Sequence, residues 1–180
     1  MDDTTAEKTL KGLMRGIADF PKEGILFWDI TPLLADSRGL ALAIREMARP
    51  YRDKQVELVV GAESRGFIFG TAVARELNCG FVPVRKPGKL PAETLAEDYE
   101  LEYGTDKLEI HADALRPDQR VLMVDDLLAT GGTMAACCRM VKRLGGEIVG
   151  ISFLIELSFL NGRDKLSAYD IHSVIRYESE

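Results

Sequence analysis

One stretch, Val121-Leu122-Met123-Val124-Asp125-Asp126-Leu127-Leu128-Ala129-Thr130-Gly131-Gly132-Thr133, restricts the fold more than any other. Four consecutive apolar residues predict a strand buried on both faces, the habit of parallel sheets. Two acids emerge at its end, a Gly-rich turn follows, and a helix then runs to Leu144, where Gly145 and Gly146 stop it. Glycines let the backbone approach an anion, and a helix N-terminus offers free N–H groups and the positive end of its dipole. Thr130 and Thr133 add hydroxyl donors. No Lys follows the glycines, so the loop suits a monophosphate and not the Walker arrangement. Side by side, the carboxylates of Asp125 and Asp126 repel each other unless something uses them. A sugar diol, with a cation nearby, is such a use.

The rest of the chain repeats the strand-then-helix rhythm. Leu10, Leu13, Met14 and Ile17 form a helix-spaced stripe, predicting a helix from 4 to 17. Asp36 or Ser37 caps a second helix that reaches Ala48 before Pro50. Leu58-Val59-Val60-Gly61 reads as a strand, followed by Ala62-Glu63-Ser64-Arg65-Gly66 and a helix from 67 to 77. Phe81-Val82-Pro83-Val84 is a further strand. Leu101-Glu102-Tyr103 is expected to pair with Leu108-Glu109-Ile110 across Gly104-Thr105-Asp106-Lys107. Strands at 148–157 and 171–175 complete the set. The expected architecture is one α/β domain over residues 1–180, with a mostly parallel central sheet flanked by helices. In such sheets ligands sit beyond the carboxyl ends of the strands, where this chain's unusual loops fall.

Composition narrows the function. At 180 residues and 46% hydrophobic content a packed core is available, and a formal charge of -6 argues against duplex DNA as the partner. The three cysteines show no metal spacing and read as reduced thiols of a cytosolic protein. Met1-Asp2-Asp3 is no secretory start, and no apolar run approaches the ~20 residues of a membrane span.

The 121–133 string resembles the donor-binding signature of the type I phosphoribosyltransferases, and the wider chain is similar to their adenine-specific branch. Phe20-Pro21, Gly24-Ile25-Leu26-Phe27, Asp29-Ile30-Thr31-Pro32, Glu63-Ser64-Arg65-Gly66-Phe67, Arg85-Lys86-Pro87-Gly88-Lys89-Leu90-Pro91 and Leu101-Glu102-Tyr103-Gly104 match that branch's blocks in order. The resemblance implies transfer of a phosphoribosyl group from phosphoribosyl pyrophosphate to adenine, giving AMP and pyrophosphate in purine salvage. It implies Mg²⁺ held mainly by substrate phosphates, no dedicated protein metal site, a cytoplasmic homodimer, and a flexible lid hairpin over about 90–102. By the same resemblance Asp125 and Asp126 would hold the ribose hydroxyls. Ala129, Thr130, Gly131, Gly132 and Thr133 would wrap the 5-phosphate. Arg65, beside a non-proline cis peptide, would bind pyrophosphate together with Arg85, Lys86 and Lys89. Leu26, Phe27 and Leu127 would form the apolar slot for the purine. Glu102 would be the acid–base residue and Tyr103 its neighbour, with Arg65 and Lys89 stabilising the leaving group. Without the resemblance, Glu102 reads as an exposed strand residue and the three cations as a solvated loop.

Two other functions share these features. A transferase for 6-oxopurines would carry an Asp before the Thr-Gly of the phosphate loop, where this chain has Ala129. A purine-sensing regulator would need an added basic module, and the residues ahead of Phe20 are not basic. One departure from the resembled family is Trp28, at a position usually Arg or Lys. Adenine can be read by backbone groups, so Trp28 is expected either to cover apolar surface near the pocket or at a subunit contact, or simply to fill the core.

Overall fold

The computed structural model describes residues 3–100 and 105–179. A five-stranded sheet runs in the order β4 (Gly80–Val84), β3 (Leu58–Ala62), β7 (Arg120–Leu128), β8 (Glu147–Leu157), β9 (Ile171–Tyr177), with every neighbour parallel. Alternation on β7 divides the core. Val121 and Met123 pack with Cys137, Met140 and Val141 of α5 (Gly132–Arg143). Leu122 and Val124 face the other way, towards Met47 of α3 (Ser37–Ala48) and Phe69 and Val73 of α4 (Arg65–Glu76). Both sheet faces are therefore covered, as the apolar runs require.

Local signals account for the helix ends. The Asp36 carboxylate accepts a hydrogen bond from the Gly39 backbone N–H at 2.7 Å and caps α3. After α5, Gly145 adopts φ +86 and returns its N–H to the Lys142 carbonyl at 3.0 Å, while Gly146 N–H reaches Val141. A short helix α2 (Thr31–Ala35) precedes α3, with Pro32 in its first turn.

Three sequence expectations need correction. The N-terminal helix α1 (Asp3–Lys11) stops six residues short of Ile17. Gly12 follows it, and Arg15–Ile17 becomes strand β1, antiparallel to β2 (Phe27–Asp29) in a separate two-stranded sheet. Leu10 is fully buried and Leu13 and Met14 pack on the core, so the apolar stripe was real but outlasted the helix. Second, β7 runs through Asp125 and Asp126 to Leu128, because β8 keeps pairing with it as far as Leu128 opposite Glu156. The acids lie within the strand, not after it. Third, the hairpin pairs β5 (Thr94–Glu100) with β6 (Thr105–His111), so Leu108 faces Glu97 and Ile110 faces Leu95. Residues 108–110 thus pair with 95–97, and Leu101, Glu102 and Tyr103 lie outside the described residues. Within β5 the two-residue period puts Leu95, Glu97 and Tyr99 on the face of Leu108 and Ile110. Glu97 is held by Arg139 at 2.6 Å and Arg143 at 2.8 Å, which ties β5 to α5.

Candidate active site

Three cavities meet at the carboxyl end of β7, sharing Leu127 and Ala129. The first, about 250 Å³, is an apolar slot. Leu26, Phe27 and Leu127 line it, as the sequence led one to expect. Ile155 and Leu157 from β8, and Phe159 and Leu160 just beyond it, supply walls that sequence reading missed. The strand-end rule could have found Ile155 and Leu157, but no local signal marks Phe159 or Leu160. Trp28 also lines the slot, half-buried and stacked on Tyr177 with ring centroids 4.1 Å apart. It thus covers apolar surface beside the pocket.

The second cavity, about 90 Å³, is the phosphate loop with Ala129, Thr130, Gly131, Gly132 and Thr133 around it. Gly131 stands at φ +77, and a Cβ there would meet the Gly162 carbonyl oxygen at 2.4 Å. Only glycine satisfies both the left-handed backbone and the close approach. The loop opens directly into α5, so the first-turn N–H groups of that helix face the cavity's end of the chain.

The third cavity, about 310 Å³, is charged. Glu63, Arg65, Lys86, Asp125 and Asp126 border it, with Tyr99 from the hairpin. The peptide between Glu63 and Ser64 is cis, and α4 starts at Arg65, beside the carboxylates. Arg65 Nε lies 2.8 Å from Asp126 Oδ2, and its guanidinium sits 5.4 Å from the centre of the Phe27 ring. Arg65 therefore joins the charged cleft to the apolar slot. A Cβ on Gly66 would come within 2.6 Å of Asp125 Oδ1, so the glycine lets α4 begin against that carboxylate.

Burial pushes the carboxyl of Asp125 well above its usual range, and the charge of Asp126 adds to this. Asp126 is raised as well, again by burial, although Arg65 pulls it back. The pair is short of positive charge. Lys86 forms an ion pair with Asp106, which also accepts from the Tyr99 hydroxyl at 3.1 Å. The hydrogen bond to Asp106 raises the Lys86 amine, and Lys86 in turn lowers Asp106.

The remaining sequence candidates are placed differently. Arg85 pairs with Glu63 at 2.8 Å and lies over the Phe67 ring; Lys89 is exposed. Neither side chain lines the charged cleft. Their loop is instead fixed to the hairpin, since Arg85 and Glu109 exchange two backbone hydrogen bonds and Gly88 N–H donates to Glu109 at 3.1 Å. Glu102 and Tyr103 lie outside the described residues. Among the described residues no group of three or more His, Cys, Asp or Glu is placed to hold a metal ion.

Residues 29–175 match the family model of the phosphoribosyl transferase domain. The adenine phosphoribosyltransferase of Koribacter versatilis is 57% identical over 170 residues, covering 94% of this chain and 93% of that protein. The adenine phosphoribosyltransferase of Rhodothermus marinus has a solved structure that superposes with a TM-score of 0.92 at 52% identity, covering 97% of this chain and 99% of that one. The Saccharomyces cerevisiae enzyme, solved in complex with adenine and an imino-altritol bisphosphate, gives a TM-score of 0.90 at 37% identity over 95% and 99% of the two chains.

Proposed function

The chain belongs to the phosphoribosyltransferase family, and within it we propose that it joins adenine to phosphoribosyl pyrophosphate, releasing AMP and pyrophosphate. The observation that carries this reading is the meeting of an apolar slot, a phosphate loop and a charged cleft around one strand end. A flat base, a sugar 5-phosphate and a pyrophosphate need those three environments within a few ångströms of one another.

The residues divide the work. The backbone N–H groups and hydroxyls of 129–133 hold the 5-phosphate. Asp125 and Asp126 accept hydrogen bonds from the ribose diol. Arg65 and Lys86 face the leaving pyrophosphate and stabilise its growing charge. Arg85 and Lys89 join them only after a shift of the 85–89 loop. Adenine lies between Leu26, Phe27 and Leu127, and its N9 attacks the anomeric carbon as the C–O bond to pyrophosphate breaks through an oxocarbenium-like state. Glu102, with Tyr103 next to it in the chain between β5 and β6, takes up the proton that N9 loses as the N9–C1′ bond forms.

Mg²⁺ fits this donor set. Two raised carboxyls facing a cleft offer hard oxygen ligands, too few for a protein cage and enough to steady an ion carried by phosphates. An ion bound that way would neutralise pyrophosphate charge. Cytoplasmic location and a homodimer complete the proposal. Free thiols at Cys79, Cys137 and Cys138 support a reducing compartment, and no helix among the described residues is long and apolar enough to cross a membrane.

The test is a panel of adenine, hypoxanthine, guanine and xanthine with the sugar donor and Mg²⁺, read by pyrophosphate release. Adenine is expected to lead. Preference for a 6-oxopurine would replace this reading with the related transferase, which Ala129 already disfavours by lacking a carboxylate. Donor binding without turnover of any base would point to a regulator.

A further inference from the structure

Two 3₁₀ turns, Ser158–Leu160 and Gly162–Leu166, follow β8 and are joined at Asn161, whose φ is +52. Together they touch two subsites. Phe159 and Leu160 wall the apolar slot. Gly162 lies backbone to backbone behind the phosphate loop: a Cβ on it would meet the Ala129 carbonyl oxygen at 2.1 Å, and a Cβ on Gly131 would meet its own oxygen at 2.4 Å. These are contacts without hydrogen bonds, so something else must hold the segment in place.

Leu166 anchors the far end of the segment in the core, and Arg163 holds the near end. Its Nε and Nη2 each donate to a separate oxygen of Glu156 at 2.7 Å, a two-pronged pair that sets angle as well as distance. Nη1 donates to the Ile171 carbonyl at 3.2 Å and Nη2 also to Ser173 Oγ at 3.4 Å, which ties the turn to β9. Glu156 is only 4% exposed, stands opposite Leu128 at the last paired position of β7, and has Arg176 Nε 3.5 Å away. An exposed pair of this kind would contribute little. Here one partner is buried at the root of the phosphate loop. Burial alone would raise the Glu156 carboxyl, yet its hydrogen bonds and the charges of Arg163 and Arg176 keep it below the usual value.

We infer that Glu156 and Arg163 are positioning residues that hold one short segment against the base slot and the phosphate loop at once, so that displacing this segment loosens both. The naming of the two ligands rests on the function proposed above; the mechanical link does not. Full-length Arg163→Met, Arg163→Lys and Glu156→Gln proteins test it. Because a shift of about 1 Å can cost on the order of 10²-fold, a partial loosening in Arg163→Met and Glu156→Gln should raise the KM for adenine and for the sugar donor together, each about 5–20-fold. Turnover should change much less, and Arg163→Lys should fall between these variants and the wild type. A rise in only one KM, or a lower thermal midpoint with both KM values unchanged, overturns the inference. Should Arg163→Met fail to fold, Glu156→Gln, of nearly the same shape, decides by the same readouts. Wild-type turnover of adenine tests the functional reading separately. Calorimetric affinity for ribose 5-phosphate tests the hold on the loop without turnover, and an unchanged affinity in Glu156→Gln would also overturn it.

Discussion

The phosphate loop and the base slot share Leu127 and Ala129 yet are built in opposite ways. The loop is contiguous in sequence, offers mainly backbone groups, and is closed by glycines that admit no Cβ. The slot draws side chains from β2, the end of β7 and the turn after β8, and its surface is mostly apolar. A site made of backbone has one workable geometry, so small changes should be severe. A site made of apolar side chains can repack, so comparable changes should be mild.

The largest expected effect separates chemistry from both walls. Glu102→Leu should lower turnover by about 10²–10⁴-fold, the usual scale for proton transfer, while leaving the KM for donor near wild type. If donor binding collapses while turnover persists, Glu102 belongs to the binding surface instead. Next comes the loop itself. Gly131→Ala must place a Cβ against Gly162 at positive φ, and a resulting loop displacement near 1 Å should cut kcat/KM for the donor on the order of 10²-fold. Near-normal donor kinetics in a protein folded by circular dichroism would erase the contrast between loop and slot.

A third measurement uses the carboxylates. Replacing Asp125 and Asp126 with Asn should raise the donor KM roughly tenfold, since a charged acceptor binds a hydroxyl more strongly than a neutral amide. Stability should move the other way. A carboxyl raised on folding stabilises fully below its unfolded pKa, and that contribution is lost as pH rises through the folded value. At neutral pH the ligand-free pair therefore opposes folding, and the double variant should melt higher than wild type. A lower midpoint at pH 7 with unchanged donor kinetics would remove the diol role. The mildest change is in the slot. Trp28→Arg should keep adenine preferred over hypoxanthine and cost about 0.5–1.5 kcal/mol of stability through the lost Tyr177 stack. A switch in base preference would show that this side chain sets specificity.

The same contrast governs what the sequence reveals. Val121–Thr133 could be read almost in full because strand, acids, glycines and helix are adjacent, and each carries its own local physics. The end of β7 was misplaced because two acids look like the end of an apolar run, whereas pairing with β8 keeps them in the ladder. The cap of α3 could be narrowed to Asp36 or Ser37, since capping is a matter of three residues, and Asp36 supplies it. Phe159, Leu160 and Gly162 carried no such mark; their roles arise only when the turn after β8 folds back onto β7. The hairpin was foreseen but its register was not, because Leu101 and Tyr103 alternate as convincingly as Leu95 and Tyr99. What separates them is the grip of Arg139 and Arg143 on Glu97, a contact more than forty residues away.

The small sheet of β1 and β2 should give the protein two local stabilities. Three paired positions hold it together, and it shares no ladder with the five main strands. Its ties elsewhere include the stack of Trp28 on Tyr177, while the Asp29 carboxylate binds Arg15 across its own pair and the Thr31 N–H at the start of α2. That wall of the base slot can therefore swing open as a local event, at a fraction of the cost of global unfolding, while the strand carrying Asp125 and Asp126 stays shut. The slot thus has one wall outside the ladders of the main sheet, and the two carboxylates stand inside them.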